Sequence, residues 1–210
     1  KLRVPSAAIT GWETPAFNDT SWTSASTGIG YDRVTASGVN YLPLIGSGGN
    51  VETVMYAIRG TCYVRIPFTI TDATAVRTLT LRMKYDDGFA AFLNGTRLNP
   101  PLATDTLAPT TLAFNSTATT SRADAEAIIF RSFDLSGQRN LLVSGTNVLA
   151  IQALNQSTTS SDLILVPELD VTRTESGAGT TGYFALPTPG APNGATTVNG
   201  FVDAPDFTVK

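Results

Sequence analysis

Period-two alternation of apolar and polar positions dominates this chain, and it predicts β-strands. Across positions 62–70, Cys62, Val64, Ile66, Phe68 and Ile70 share one face, while Tyr63, Arg65, Pro67 and Thr69 share the other. Across 78–84, Leu79, Leu81 and Met83 alternate with Thr80, Arg82 and Lys84. One apolar and one polar face per strand is the pattern of an antiparallel sheet lying on a core. Pro67 has no backbone donor, which places its strand near an edge or a bulge. Positions 89–93 predict a further strand that ends in Asn94-Gly95, a pair suited to the positive φ angles of a tight hairpin turn. Arg97-Leu98 begins the returning strand. Positions 127–133 predict another strand, and 122–126 are open to a short helix. Gly145-Thr146 is a turn signal before a strand at 147–154. The polar loop 156–161 precedes the last long strand, 162–171.

The flanks are less regular. Positions 1–9 read as a strand. Positions 11–60 are rich in Gly, Ser, Thr and Asn with scattered aromatics, and long ordered loops of this kind wrap a core or carry function. Segments 177–182 and 187–200 are rich in Gly, Pro and Thr and read as linker. The expected organisation is a β module over 1–174, a linker over 175–200, and a terminal strand or the start of a following domain over 201–210. Many short strands and almost no helix predict an all-β, antiparallel β-sandwich of the jelly-roll kind.

Composition narrows the function. Charged residues make up 15% of the 210 positions, against about 25% in an average soluble protein. The net charge is -3, with no cluster of Lys or Arg. A nucleic-acid partner needs a basic face, and a membrane surface site needs a polybasic stretch; neither is present. No apolar run approaches the roughly 18 residues of a membrane span. No signal peptide opens the chain, so Lys1 reads as the start of a mature or excised fragment. The chain has no histidine, which excludes a Ser-His-Asp triad, a Cys-His pair and histidine-bound zinc or copper. Cys62 has no internal disulfide partner. It lies within an apolar alternation and reads as a buried thiol. Avoidance of cysteine fits an exported bacterial protein.

Several segments carry a resemblance. Gly11-Trp12-Glu13-Thr14-Pro15-Ala16-Phe17-Asn18-Asp19-Thr20-Ser21-Trp22 is similar to the opening motif of galactose-binding-domain-like jelly rolls. Gly28-Ile29-Gly30-Tyr31 resembles the Gly-x-Gly-Tyr segment that follows it, and the hairpin from Tyr85-Asp86-Asp87-Gly88 to Asn94-Gly95 resembles theirs. Gly145-Thr146-Asn147-Val148-Leu149-Ala150-Ile151 and the Ser160-Ser161-Asp162 loop also match. One departure is Asn18 in place of the first carboxylate of the usual acidic pair. The tail from Gly182 to Gly194 resembles linkers that follow such modules in large multidomain surface proteins of aquatic bacteria. The resemblance implies an extracellular or cell-surface location and a sandwich that binds glycans, binds calcium, docks proteins or acts as a spacer, because this fold does not fix function.

The candidate residues follow. Trp22 reads as core, while Trp12 is either core or a platform for a sugar ring. Tyr31, Asp32, Arg33, Asn40 and Tyr41 combine aromatic, amide and charged groups in the early loops, as sugar sites do. Asp86 and Asp87 are either the polar start of a turn or calcium ligands, since calcium prefers several oxygens. Asn115, Asn155 and Asp162 are candidate co-ligands by loop position. As an acid–base pair Asp86 and Asp87 are poor, because successive side chains on a strand point apart. The expected function is a non-catalytic carbohydrate-binding module with a polysaccharide or glycan partner, with calcium as the one candidate cofactor. The alternative is a structural or assembly module whose 201–210 strand docks on neighbouring subunits or domains.

Overall fold

A computed structural model describes residues 1–33, 39–98 and 106–173, together with the backbone of two short strands beyond them. The chain divides into two compact units, Lys1–Thr174 and Glu175–Lys210. In the first, two antiparallel sheets form an all-β sandwich. Strands β1 (Leu2–Arg3), β3 (Thr61–Ile70), β8 (Gly145–Leu154), β5 (Gly88–Leu93) and β6 (Thr96–Arg97) lie side by side in that order. Strands β2 (Ile29–Asp32), β9 (Asp162–Arg173), β4 (Val76–Asp86) and β7 (Arg131–Asp134) form the second sheet. In the second unit, β10 (Tyr183–Phe184) pairs antiparallel with β11 (Thr197–Val198), inside the segment that composition reads as linker. The strand expected over 201–210 lies outside the described residues.

The alternation read from the sequence faces the two sheets toward each other. Leu79, Leu81, Met83 and Tyr85 of β4 and Leu163 and Leu165 of β9 meet Phe89, Ala91 and Leu93 of β5 and Leu149, Ile151 and Ala153 of β8 in one core cluster. Burying each large apolar side chain contributes about 1.5–3 kcal/mol. Tyr85 and Phe89 meet edge to face at 4.8 Å. Cys62 is fully buried in this core, and burial pushes its thiol up to about 12.

Local chemistry sets the turns. Asn94 and Gly95 adopt φ of 51° and 89°, as their hairpin requires. The Asn94 amide then donates to Asn147 Oδ1 at 2.8 Å and accepts from the Val148 N–H at 2.9 Å, tying the hairpin to β8. A side chain on Gly30 would put its Cβ 2.0 Å from the Leu163 carbonyl oxygen, so the close β2–β9 approach needs glycine there. Pro67 lies beyond the two-residue reach of β1, where among the described residues β3 pairs with no strand on that side.

Two boundaries differ from expectation. The strand expected over 1–9 contracts to Leu2–Arg3. Pro5 has no donor to extend the ladder, and Leu2 instead exchanges two backbone hydrogen bonds with Thr23. The segment 122–133 holds both a short helix, α2 (Asp124–Ala127), and β7. The helix α1 (Glu52–Met55) is the other short one. Among the described residues no helix is long and apolar enough to cross a membrane.

Candidate functional site

The outward face of the five-stranded sheet is covered by its own N-terminal loop. Tyr63, Gln152 and Ala90 are register partners across β3, β8 and β5. Arg65, Ala150, Phe92 and Arg97 form the next row. Onto these rows Trp12 lays its ring flat against Tyr63, at 4.0 Å and 4°. Trp12 also meets Phe92 edge to face at 5.6 Å. Trp12 and Trp22 are both buried, at 6% and 5% exposure. Arg65 holds this loop. Its side chain is 3% exposed and its Nε donates to Asp19 Oδ2 at 2.8 Å. Its Nη1 donates to the Trp12 and Thr14 carbonyls, and its Nη2 to the Phe17 carbonyl.

Beside this stack lies an open cleft of about 400 Å³. Its aromatic lining is Trp12, Tyr63, Phe92 and Phe114, and its polar lining includes Glu13, Arg97 and Gln152. Phe92 and Phe114 are half-buried, so part of each ring is open to a ligand. Gln152 donates to the Ala113 carbonyl at 2.8 Å, which anchors the loop carrying Phe114. Burial, with Glu13 adding to it, raises the Tyr63 hydroxyl to about 12, so it stays protonated and able to donate. Sequence reasoning found Trp12 but missed Glu13, Phe92, Arg97, Phe114 and Gln152. Outward strand positions such as 92, 97 and 152 were visible in the alternation, but nothing local marks them as neighbours.

The remaining candidates lie mostly elsewhere. Tyr31, Asp32 and Tyr41, expected as ligand contacts in open loops, are buried, at 0%, 8% and 1% exposure. Tyr31 points into the core, where its hydroxyl donates to the Ser160 carbonyl and accepts from Asn155 Nδ2. Tyr41 caps the outward face of the four-stranded sheet, packed with Ala127 and Ile164. Its N–H donates to Asp32 Oδ2 at 2.9 Å. Arg33 is exposed, pairs with Glu52 at 3.0 Å and lies over the Tyr56 ring. Asn40 is exposed and accepts from the Leu42 N–H.

Under Tyr41 the sheet gathers carboxyl groups. Asp32 and Asp162 are register partners, and Asp86 pairs with Ile164 one strand over. Asp86 is 2% exposed and shares a hydrogen bond with Asp162. Burial pushes the Asp86 carboxyl far above the carboxylate range, and repulsion from Asp87 and Asp162 adds to this. Asp162 is raised by burial and by Asp124. Asp86 therefore keeps its proton at neutral pH and Asp162 accepts from it. Asp87 acts differently. Its Oδ1 accepts the Arg122 N–H at 2.9 Å and its Oδ2 the Gln156 N–H at 2.7 Å, which fixes two loops. Asp87→Ala should leave both donors without partners and lower stability by about 2–4 kcal/mol, read from the urea midpoint; a loss below about 1 kcal/mol would contradict this pinning role.

Of the five expected calcium ligands, Asp86, Asp87 and Asn155 are buried. Asp86 and Asp162 share a hydrogen bond, Asp87 gives an oxygen to each of two backbone donors, and Asn115 sits exposed in a turn. Asn155 is buried, with its amide nitrogen on Tyr31. Calcium takes about six to eight oxygens, and among the described residues no three Cys, Asp or Glu side chains are grouped to hold a metal.

The fold and cleft together define an all-β sandwich with an aromatic-lined surface site. No protein-family model matches the chain, and no curated protein sequence does. Among solved structures, the chain is similar to β-glucuronidase 2 from Bacteroides uniformis, at 16% identity over 80% of this chain and 17% of that one, with a TM-score of 0.43. It is also similar to a glycosyl hydrolase family 2 member from Bacteroides cellulosilyticus, at 13% identity over 79% and 19%, with a TM-score of 0.39. An α-L-rhamnosidase from Aspergillus terreus matches at 15% identity over 56% and 13%, with a TM-score of 0.35. Each match spans under a fifth of the other chain, so the activities of those enzymes remain theirs.

Proposed function

We propose that this chain is a non-catalytic carbohydrate-binding module that works outside a bacterial cell or on its surface, and that the glycan lies in the cleft beside Trp12. The observation that carries this reading is the cleft itself, with half-open Phe92 and Phe114 rings beside Glu13, Arg97 and Gln152. Aromatic faces suit the apolar face of a sugar ring, and a few placed polar groups fix its hydroxyls. Catalysis is not part of the reading. Glycoside hydrolysis needs two carboxyl groups flanking one bond, and Glu13 is the single carboxylate among the described residues of this lining.

The test is a broad polysaccharide and oligosaccharide binding screen on the purified chain, with and without EDTA. Binding should survive EDTA, because Phe92, Phe114 and Arg97 can stack on and hydrogen-bond a sugar without a metal. Phe114→Ala should weaken it by about tenfold or more, measured at a temperature where the variant is fully folded. An affinity indifferent to Phe114→Ala would move the site off this cleft. No binding across the screen would overturn the glycan reading and favour an assembly role.

A further inference from the structure

The cleft carries a cation held ready for an anion. Arg97 extends from β6 into it, half-exposed, in register with Phe92. Its Nη1 donates to the Thr110 carbonyl at 2.6 Å and its Nη2 to the Pro109 carbonyl at 2.9 Å. Those two bonds fix the plane of the guanidinium. A guanidinium has five N–H donors, and the described residues take up two of them. Among the described residues Arg97 makes no ion pair, whereas Arg33, Arg65, Arg82 and Arg122 each do. Burial lowers its pKa, and no acidic neighbour among the described residues offsets that. It remains charged all the same, because guanidinium does not lose its proton in proteins.

Glu13, the other charged group of the lining, sits on the Tyr63 side. It raises the Tyr63 hydroxyl, and Tyr63 on β3 lies three strands across the sheet from Arg97 on β6. The cleft is therefore polarised, with an acceptor at one end and a partly desolvated, pre-oriented cation at the other. A planar guanidinium matches a carboxylate better than any neutral hydroxyl, because two parallel N–H donors can meet its two oxygens.

We infer that the ligand of this cleft is an acidic glycan, a sugar chain carrying carboxylates, with Arg97 pairing one of them while Phe92 and Phe114 hold the ring. This rests on the glycan reading above and deepens it. The probes are polygalacturonate, its fully methyl-esterified form, alginate, dextran sulfate and a set of neutral glucans, xylans and galactans. Each is tested against the native chain and Arg97→Gln at low and at physiological salt. The expected result is binding to a carboxylated polymer that falls about tenfold or more in Arg97→Gln, while Phe114→Ala weakens that same binding. If the carboxylated polymer is polygalacturonate, its ester should bind as weakly as Arg97→Gln binds the acid. Equal binding of neutral polymers, unaffected by Arg97→Gln, would overturn the acidic class and leave the carbohydrate module standing. A preference for dextran sulfate would overturn the carboxylate. Binding of none of the probes, nor of anything in the broader screen, would overturn both.

Discussion

Arg65→Ala should lower the stability of the sandwich by about 3–5 kcal/mol, the largest loss expected from a single outward-facing position. The guanidinium is nearly fully buried, yet it lies on the side of β3 that alternation assigns to solvent. It is buried because the N-terminal loop folds over it. Removing it leaves Asp19, itself 22% exposed, without its cation, and leaves the Trp12, Thr14 and Phe17 carbonyls without their donor. A broken, partly buried ion pair with stranded acceptors is among the more damaging single changes. The loop and its aromatic stack should loosen first, so near-ultraviolet circular dichroism from Trp12 and Trp22 should collapse before the backbone signal does.

The paired change separates charge from packing. Asp19→Ala alone should cost less, since Arg65 would keep its three carbonyl acceptors. The double variant should lose clearly less than the sum of the two single losses, with a coupling of about 1–3 kcal/mol. Additive losses would mean that the ion pair is incidental and that the carbonyl bonds hold the loop. A loss under about 1 kcal/mol for Arg65→Ala would mean that the loop does not depend on Arg65 at all. Glycan binding gives a second readout, because Trp12 lines the cleft. Arg65→Ala should weaken it even at temperatures where the sandwich stays folded.

This arrangement also shows how far the sequence could be read. Strand positions were legible wherever one face is apolar, as at Leu79, Leu81 and Met83, because a period of two leaves a local mark. The Asn94-Gly95 turn was legible for the same reason, since the needed φ angles select the residues. What escaped was every feature made by distant partners. Arg65 and Asp19 are 46 positions apart, and Gln152 and Ala113 are 39 apart. No spacing rule connects them. The early-loop set of Tyr31, Asp32 and Tyr41 looked like a sugar site because aromatic and polar groups alternate there. Those groups alternate because Tyr31 faces the core while Asp32 and Tyr41 close the outer face. Phe114, in a loop of Thr, Asn and Ser, carried no signal beyond being an aromatic in polar company.

Asp86→Asn should change how stability depends on pH, and in the unusual direction of a gain at high pH. The folded chain holds the Asp86 proton because the side chain is buried and faces Asp87 and Asp162, with Asp32, Asp124 and the Tyr31 and Tyr41 hydroxyls around it. The unfolded chain ionises Asp86 near the ordinary value of about 3.9. A carboxyl raised on folding contributes stability that is complete below the unfolded pKa and is lost as pH rises toward the folded one. Native stability should therefore fall from about pH 4 upward, by as much as about 1.4 kcal/mol per pH unit. Asp72 and Asp134 are lowered by Ser and Thr hydrogen bonds, so their contribution disappears only in acid, below this window. Tyr31 and Tyr41 are raised by burial and begin to matter only where free tyrosine ionises, near pH 10. Between pH 5 and 9 the carboxyl pair acts beside the Lys1 amino group, which burial lowers and which adds stability as pH rises, so the difference between the native chain and Asp86→Asn is what isolates the pair. Asparagine matches protonated aspartic acid in shape and can still donate to Asp162, but it has no proton to lose. Urea midpoints at pH 5, 7 and 9 should give a falling line for the native chain and a flatter one for Asp86→Asn, with the variant the more stable at pH 9. Parallel lines would mean that Asp86 ionises without penalty in the folded chain, and that the pair under Tyr41 is open to water rather than sealed by it.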